Sequence, residues 1–336
     1  MSECAPAHVF ESEVKTHPSV RAWSQLNAAH AEPSHITTLK SQEGKSAVHR
    51  LEGVGRDGGA VIAKYCRQAV VAAERAVYEQ VLPQLPLPSL HFYGSLGDAD
   101  EFGWLFVEDA GDQRMGTSDE EHRCLASRWL AQLHTSASKL EKQAKLPDRS
   151  PDFYRTQAGA VRQAIAHSAG NPALYPDDRA VLSAVDRQLA FIDARWDQVE
   201  AACAGIPRTL VHGDFVRKNV RLRHTPHGTE LLALDWETAG WGVPAIDLCR
   251  FVGGPVKPDL ASYCAAMREA GEPVTLEQVE ALAHVGSVFR LISAMYWAAL
   301  RLDQPWVAKC MVWMGCYRTY MVDALRATHW GQGIED

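Results

Sequence analysis

The sequence predicts an α+β chain in two parts: a small antiparallel sheet with one helix, then a larger and mainly helical region. Three observations predict it. Between residues 35 and 110 short β runs alternate with turn residues; beyond Gly111 apolar residues recur at helical spacing; and a strand–turn–strand stretch, residues 210–242, is embedded among the helices. A chain of 336 residues is also longer than one compact domain usually is. The expected division is a leader with a short helix over 1–34, a first lobe over 35–110, and a helical second lobe over 111–336 that carries the hairpin.

Taken in order, the leader offers one short helix around "HPSVRAWSQLN". "HITTLK", "SAVHRLEGVG" and "AVIAKYC" follow as strands, the last two joined through Asp57-Gly58-Gly59 as an antiparallel hairpin. "AVVAAERAVYEQVL" has helical spacing and is stopped by Pro83, which has no N–H to continue the ladder. "HFYGSLG" and "WLFVEDAG" supply two more strands. "SDEEHRCLASRWLAQLHTSA" then opens with Ser118 and Glu121 in the capping-box pattern. One long helix is expected from Asp177 to Cys203, ended by Gly205 and Pro207, with further helices near 258–270, 275–301 and 304–327. Thr275 and Gln278 form a second capping-box pattern. The most apolar stretch, residues 281–300, contains His284 and Arg290; both are costly in a bilayer, so it reads as a buried helix.

The net charge of −7 argues against a general binder of nucleic acid or of anionic membranes. The N-terminus lacks the charged and apolar regions of a signal peptide. Eight cysteines are scattered singly with no CxxC, which suggests neither zinc nor a disulfide framework but reduced thiols in a cytoplasmic protein.

The stretch "LVHGDFVRKNVRLRHTPHGTELLALDWETAGWG" holds the polar residues that a fold alone does not require. Asp214 and Asn219 bracket a five-residue step in a loop, and Asp235 ends the strand that the hairpin returns beside Asn219. One carboxylate and one amide oxygen suit Mg²⁺, a hard cation that leaves its other positions to phosphate and water. Asp214, offset along the loop, is placed to accept the proton of an attacking hydroxyl. This is the layout that phosphoryl transfer requires. Turn-forming Asp and Asn residues at strand ends account for each residue singly, but not for their order.

"HGDFVRKN" followed by "LALDWE" resembles the catalytic loop and metal-binding segment of the aminoglycoside phosphotransferase and choline kinase-like family, which shares the protein kinase-like two-lobe fold. The resemblance implies that Asp214 is the catalytic aspartate, Asn219 and Asp235 the metal ligands, and Asp247 in "PAIDL" a buried aspartate that ties down the loop. Glu237 corresponds to a position that helps hold a second metal in the choline-kinase variant; a solvated glutamate is the alternative. His212 braces the loop. Arg217 and Lys218 are unusual for the family and read either as contacts to phosphate or an anionic acceptor, or as a loop rim facing water. In the first lobe the resemblance implies a nucleotide-anchoring Lys64 in "VIAKY", steadied by Glu74, with Glu79 as the competing partner. Gly44, Lys45 and Ser46 stand where a phosphate-covering turn belongs. They are not a P-loop, because Leu39 occupies the position that motif gives to glycine. The strand end at Glu108 would hold the base through main-chain groups.

Asp247 follows Asp235 by only twelve positions, too few for the segment with which protein kinases dock a peptide, so a small-molecule acceptor is expected. The last helices are nearly charge-balanced and aromatic, with Phe289, Tyr296, Trp297, Trp306, Trp313, Tyr317, Tyr320 and Trp330, which disfavours a polycationic aminoglycoside. The expected activity is therefore transfer from ATP or GTP, with Mg²⁺, to a hydroxyl of a metabolite, sugar, nucleoside or antibiotic. No nucleic acid or membrane partner is expected. The alternative is a catalytically silent pseudokinase.

Overall fold

Alternation along "SAVHRLE" and "VIAKYCR" places Leu51, Val61 and Ala63, all fully buried, on one face of a sheet and Lys64 on the other. The computed structural model describes residues 7–8, 14–26, 31–42, 46–97, 101–141, 144–249 and 254–328. Its first elements are β1 (Ala7–His8), α1 (Pro18–Leu26), β2 (His35–Gln42), β3 (Ser46–Glu52), β4 (Val61–Arg67), α2 (Gln68–Ala76), β5 (Phe92–Leu96) and β6 (Phe102–Glu108). The six strands form one antiparallel sheet in the order β1-β2-β3-β4-β6-β5. The leader helix is part of this body: Val20, Ala22 and Trp23 join Ile36, Leu51, Val61, Ala63 and Phe106 in one core. Beyond Ala76 the helix loosens into a π turn, Val77–Val81, and a 3-10 turn, Leu82–Gln84, where Pro83 removes a donor.

The later elements are α3 (Glu120–Ala137), β7 (Asp148–Arg149), α4 (Pro151–His167), α5 (Pro176–Asp193), α6 (Trp196–Cys203), β8 (Thr209–Val211), β9 (Val220–Thr225), β10 (Gly228–Ala233), β11 (Gly240–Gly242), α7 (Leu260–Glu269), α8 (Leu276–Ala299) and α9 (Ala308–Arg326). Three expectations are corrected. The helix at 120 is capped by Asp119, whose Oδ1 accepts the N–H of His122 at 3.1 Å, and not by Ser118 with Glu121; the helix starts one residue later than that box requires. The expected single helix over 177–203 is two, broken at Ala194 and Arg195; the break lets Trp196 turn into the core, 6.2 Å from the Phe289 ring. Helix α4 is additional, and its signal was Pro151 at the first helical position. The box at Thr275 and Gln278 does form.

Two compact units result. One comprises Met1–Arg114, Gln143–Leu146 and Asn219–Ala239; the other comprises Met115–Lys142, Pro147–Lys218 and Gly240–Asp336. The hairpin β9–β10 thus groups with the sheet, whereas the sequence reading puts it in the helical part. Within the first unit Arg223 of the hairpin pairs with Glu108 at 2.6 Å, and Leu222 N donates to Gln113 O at 2.9 Å.

In the second unit α8 is the central helix, with Phe289 stacked on Tyr154 at 4.1 Å and 7°. Gly286 lets this helix press onto the 3-10 turn Pro244–Leu248, since a Cβ there would lie 1.7 Å from the carbonyl oxygen of Ala245. No disulfide joins the seven cysteines among the described residues. No helix among the described residues is long and apolar enough to cross a membrane.

Candidate active site

In the first unit the site grows from the face of β4 opposite the buried Val61 and Ala63. The ammonium of Lys64 donates to Glu74 Oε1 on α2 and to Asp235 Oδ1 at the end of the hairpin. Glu79, the competing partner, is instead half exposed and lies 4.0 Å from Arg75. Desolvation works against the charge on Lys64, but Glu74, Asp235 and Glu237 together hold its pKa well above the ordinary lysine value. Burial pushes the Glu74 carboxyl up to about 7; Lys64 pulls it down, while Asp235 and Glu237 add to the rise.

Asp235 takes the left-handed conformation, φ 68° and ψ 61°, which aspartate tolerates better than bulkier residues. It is followed by a 3-10 turn anchored by the buried Trp236. The carbonyl of the buried Asn219 accepts the N–H of Leu234 at 3.0 Å, so Asn219 and Asp235 share one end of the hairpin. One cation, Lys64, faces the carboxylates of Glu74, Asp235 and Glu237, a net-negative group that a divalent cation would balance. The donors available to it, the Asn219 amide and the Asp235 and Glu237 carboxylates, are all oxygens and suit Mg²⁺. Among the described residues no group of three His, Cys, Asp or Glu side chains forms a metal cage by itself. Mg²⁺ in nucleotide enzymes does not ask for one, since it takes one or two carboxylates and shares the rest with phosphates.

Other expected nucleotide contacts are less concentrated. Glu108 is occupied structurally: its carboxylate accepts from His91 N at 2.9 Å and from Arg223 at 2.6 Å, and its own N–H bonds His91 O. Ser46 opens β3, paired with Gln42; Gly44 lies outside the described residues.

In the second unit the loop after β8 is fastened by Asp247. This carboxylate, 1% exposed, accepts the N–H groups of His212 at 2.7 Å and Gly213 at 2.9 Å, and meets His134 Nε2 at 3.3 Å. His134 is held in turn by the Tyr263 hydroxyl at 3.0 Å. The Asp214 N–H donates to His212 Nδ1 at 3.3 Å, and Phe215 stacks on Trp129 at 5.5 Å. The loop is therefore gripped on both sides of Asp214. Its carboxylate pairs through Oδ1 with Arg290 and through Oδ2 with Lys218 at 3.1 Å. Arg290 Nη1 also donates to the Gly213 carbonyl at 3.2 Å. Arg217 is exposed, and its main-chain N–H bonds Gly254 O at 3.0 Å.

Lys64, Glu74 and Asp235 are thus brought together, with Glu237 in electrostatic reach, and so separately are His212, Asp214, Lys218 and Asp247. The sequence reading missed Arg290, His134 and Tyr263. For Arg290 a signal existed: a lone arginine inside an otherwise apolar helix.

A family model described as a phosphotransferase enzyme family matches residues 39–285. No curated protein is significantly similar to the chain. Among solved structures, a Ralstonia eutropha protein described as an aminoglycoside phosphotransferase is 17% identical, with a TM-score of 0.58 over 95% of this chain and 98% of that one. A Plasmodium vivax ethanolamine kinase is 11% identical, with a TM-score of 0.57 over 84% and 80%. A spectinomycin phosphotransferase in complex with ADP and spectinomycin is also 11% identical, with a TM-score of 0.57 over 90% and 98%. At such identities the likeness is one of fold, and that fold is α+β and protein kinase-like.

Proposed function

Taking as premise that the chain belongs to the phosphotransferase enzyme family and is a small-molecule kinase, we propose that it moves the terminal phosphoryl group of a purine nucleoside triphosphate to a hydroxyl of a small molecule. The observation that carries this reading is Lys64 held between Glu74 and Asp235 with Glu237 in electrostatic reach, a cluster that keeps an ammonium charged and pointed while leaving negative charge for a divalent ion.

Lys64 would bind the nucleotide phosphates, and Glu74 would fix its orientation from a buried position. Asn219, Asp235 and Glu237 would hold Mg²⁺, which when bound neutralises charge on the phosphates. Main chain around Glu108 would take the base, and Ser46 with Gly44 would close over the phosphates. Asp214 would orient the acceptor hydroxyl and take its proton. The acceptor oxygen forms its bond to the terminal phosphorus as the bond to the bridging oxygen breaks, so the nucleoside diphosphate leaves with the electron pair. His212 and Asp247 act on Asp214 by holding its loop.

The test is to incubate the purified chain with labelled ATP or GTP, with Mg²⁺ or with chelator, against a panel of sugars, nucleosides, amino alcohols and antibiotics. Mg²⁺-dependent label transfer that Asp214→Ala abolishes is the expected result. Transfer by that variant at the wild-type rate would overturn the assignment, and absence of Mg²⁺-dependent nucleotide binding would overturn the reading itself.

A further inference from the structure

Resting on that reading, we infer that the acceptor carries an anionic group, a carboxylate or a phosphate, a few bonds from the reacting hydroxyl, and that Arg290 receives it. The ground is the charge immediately around Asp214. Its carboxylate is matched by two cations, the guanidinium of Arg290 and the ammonium of Lys218. Asp247, the carboxylate that fastens the same loop, is fully buried and already accepts two loop N–H groups and meets His134, so it offers nothing to a ligand. Among the described ion pairs at the attacking position, two cations thus face one carboxylate. A further positive charge placed beside them is repelled, and a negative one is attracted. An amine-bearing acceptor would meet repulsion here; an acid would not.

The two cations differ in kind. The side chain of Lys218 is 62% exposed and sits on a long flexible stem at the loop rim. The side chain of Arg290 is 20% exposed. It projects from the middle of helix α8, beside the stacked Phe289, and is tied to Gly213 O. Its planar guanidinium fork matches a carboxylate or phosphate edge. Tyr317, half-buried and stacked on Trp313, lies within electrostatic reach of the same guanidinium. A cation fixed on a rigid element beside the attacking position selects among acceptors; one on a mobile rim would only attract them.

A structural role for Arg290 would weaken all acceptors equally, whereas a selecting role changes their ratio. The experiment is calorimetric titration of the full-length chain, loaded with Mg²⁺ and ADP, with matched probes: glycerate against glycerol, gluconate against glucose, and ribose 5-phosphate against ribose, with choline as the cationic control. Acidic probes should bind the wild type about tenfold or more tightly than their neutral partners. Arg290→Gln should erase that ratio and Arg290→Lys restore part of it. The carboxylate and phosphate arms show which anion is taken. Because Lys218 is exposed, Lys218→Gln is a folded control that should lower the ratio less. Acidic probes that bind no better than neutral ones or choline, or a ratio untouched by Arg290→Gln, overturn the inference. The wild-type ratio decides it even if the arginine variants misfold. Failure of the kinase reading looks different, since the chain would then not take up Mg²⁺ and ADP at all.

Discussion

The two units carry charge clusters of opposite design. In the first, one cation, Lys64, is surrounded by the carboxylates Glu74, Asp235 and Glu237. In the second, one carboxylate, Asp214, is flanked by the cations Arg290 and Lys218. The first arrangement is a net-negative group of oxygen donors, which the proposed function assigns to a metal and the phosphates that come with it. The second is a carboxylate whose neighbours favour an anion, suited to a hydroxyl on an acidic molecule. The contrast teaches that an identical residue type, aspartate, is prepared for different partners by what stands next to it. Asp235 and Asp214 differ in their surroundings far more than in their own chemistry.

The largest expected effects break that contrast directly. Lys64→Met should weaken nucleotide binding and transfer together, each by about a hundredfold, whereas Asp214→Asn should lower the transfer rate about a thousandfold while nucleotide affinity stays within a few fold. Rapid-quench kinetics beside nucleotide titration separates the two; equal loss of affinity in both variants would mean the clusters are not specialised.

Stability should next distinguish how the clusters are supported. Asp247→Asn removes the charge that accepts two buried loop N–H groups, and should destabilise the fold by about 3 kcal/mol in urea unfolding. A change under about 0.5 kcal/mol, the range of an ordinary surface substitution, would show that the loop is held otherwise.

Glu74 gives the first cluster a pH signature. Burial raises its folded pKa from the ordinary 4.5 to about 7, so the folded state holds this proton more firmly than the unfolded chain does. Stability from this group is therefore greatest at low pH and declines as pH rises from about 4.5 to about 7, by at most roughly 3 kcal/mol. Across that window the urea midpoint of the wild type should fall relative to that of Glu74→Gln, which carries no titrating group there, and parallel curves would refute it. The smallest effect is a control away from both clusters: Asp119→Ala should cost about 1 kcal/mol by uncapping α3.

How much of this was legible from the residues depended on distance along the chain. The hairpin was readable because "NVRLR" and "ELLALDW" alternate around a short turn, and pairing then requires Asn219 and Asp235 to share an end. The seat of Lys64 was readable from a charge within an apolar strand. Glu74 was preferred to Glu79 through the family resemblance; in the structure Lys64 donates to Glu74, while Glu79 lies in the π turn beside Arg75. The cap at Asp119 was misread by one residue because Ser118 also satisfies the pattern. The break at Ala194 was invisible because nothing local forbids a helix there; the core's demand for Trp196 decides it.

By itself, then, the sequence determined the α+β order of elements, the hairpin that pairs Asn219 with Asp235, and the oxygen-donor chemistry at its end. Only the tertiary structure decided which cations flank Asp214, that Gly286 lets α8 approach the turn bearing Asp247, and that the hairpin groups with the sheet. The reason is range. Periodicity and turn chemistry act over a few residues, whereas Arg290 meets the Gly213 carbonyl across 77 residues of chain, a contact that no local preference encodes and that packing of the whole unit imposes.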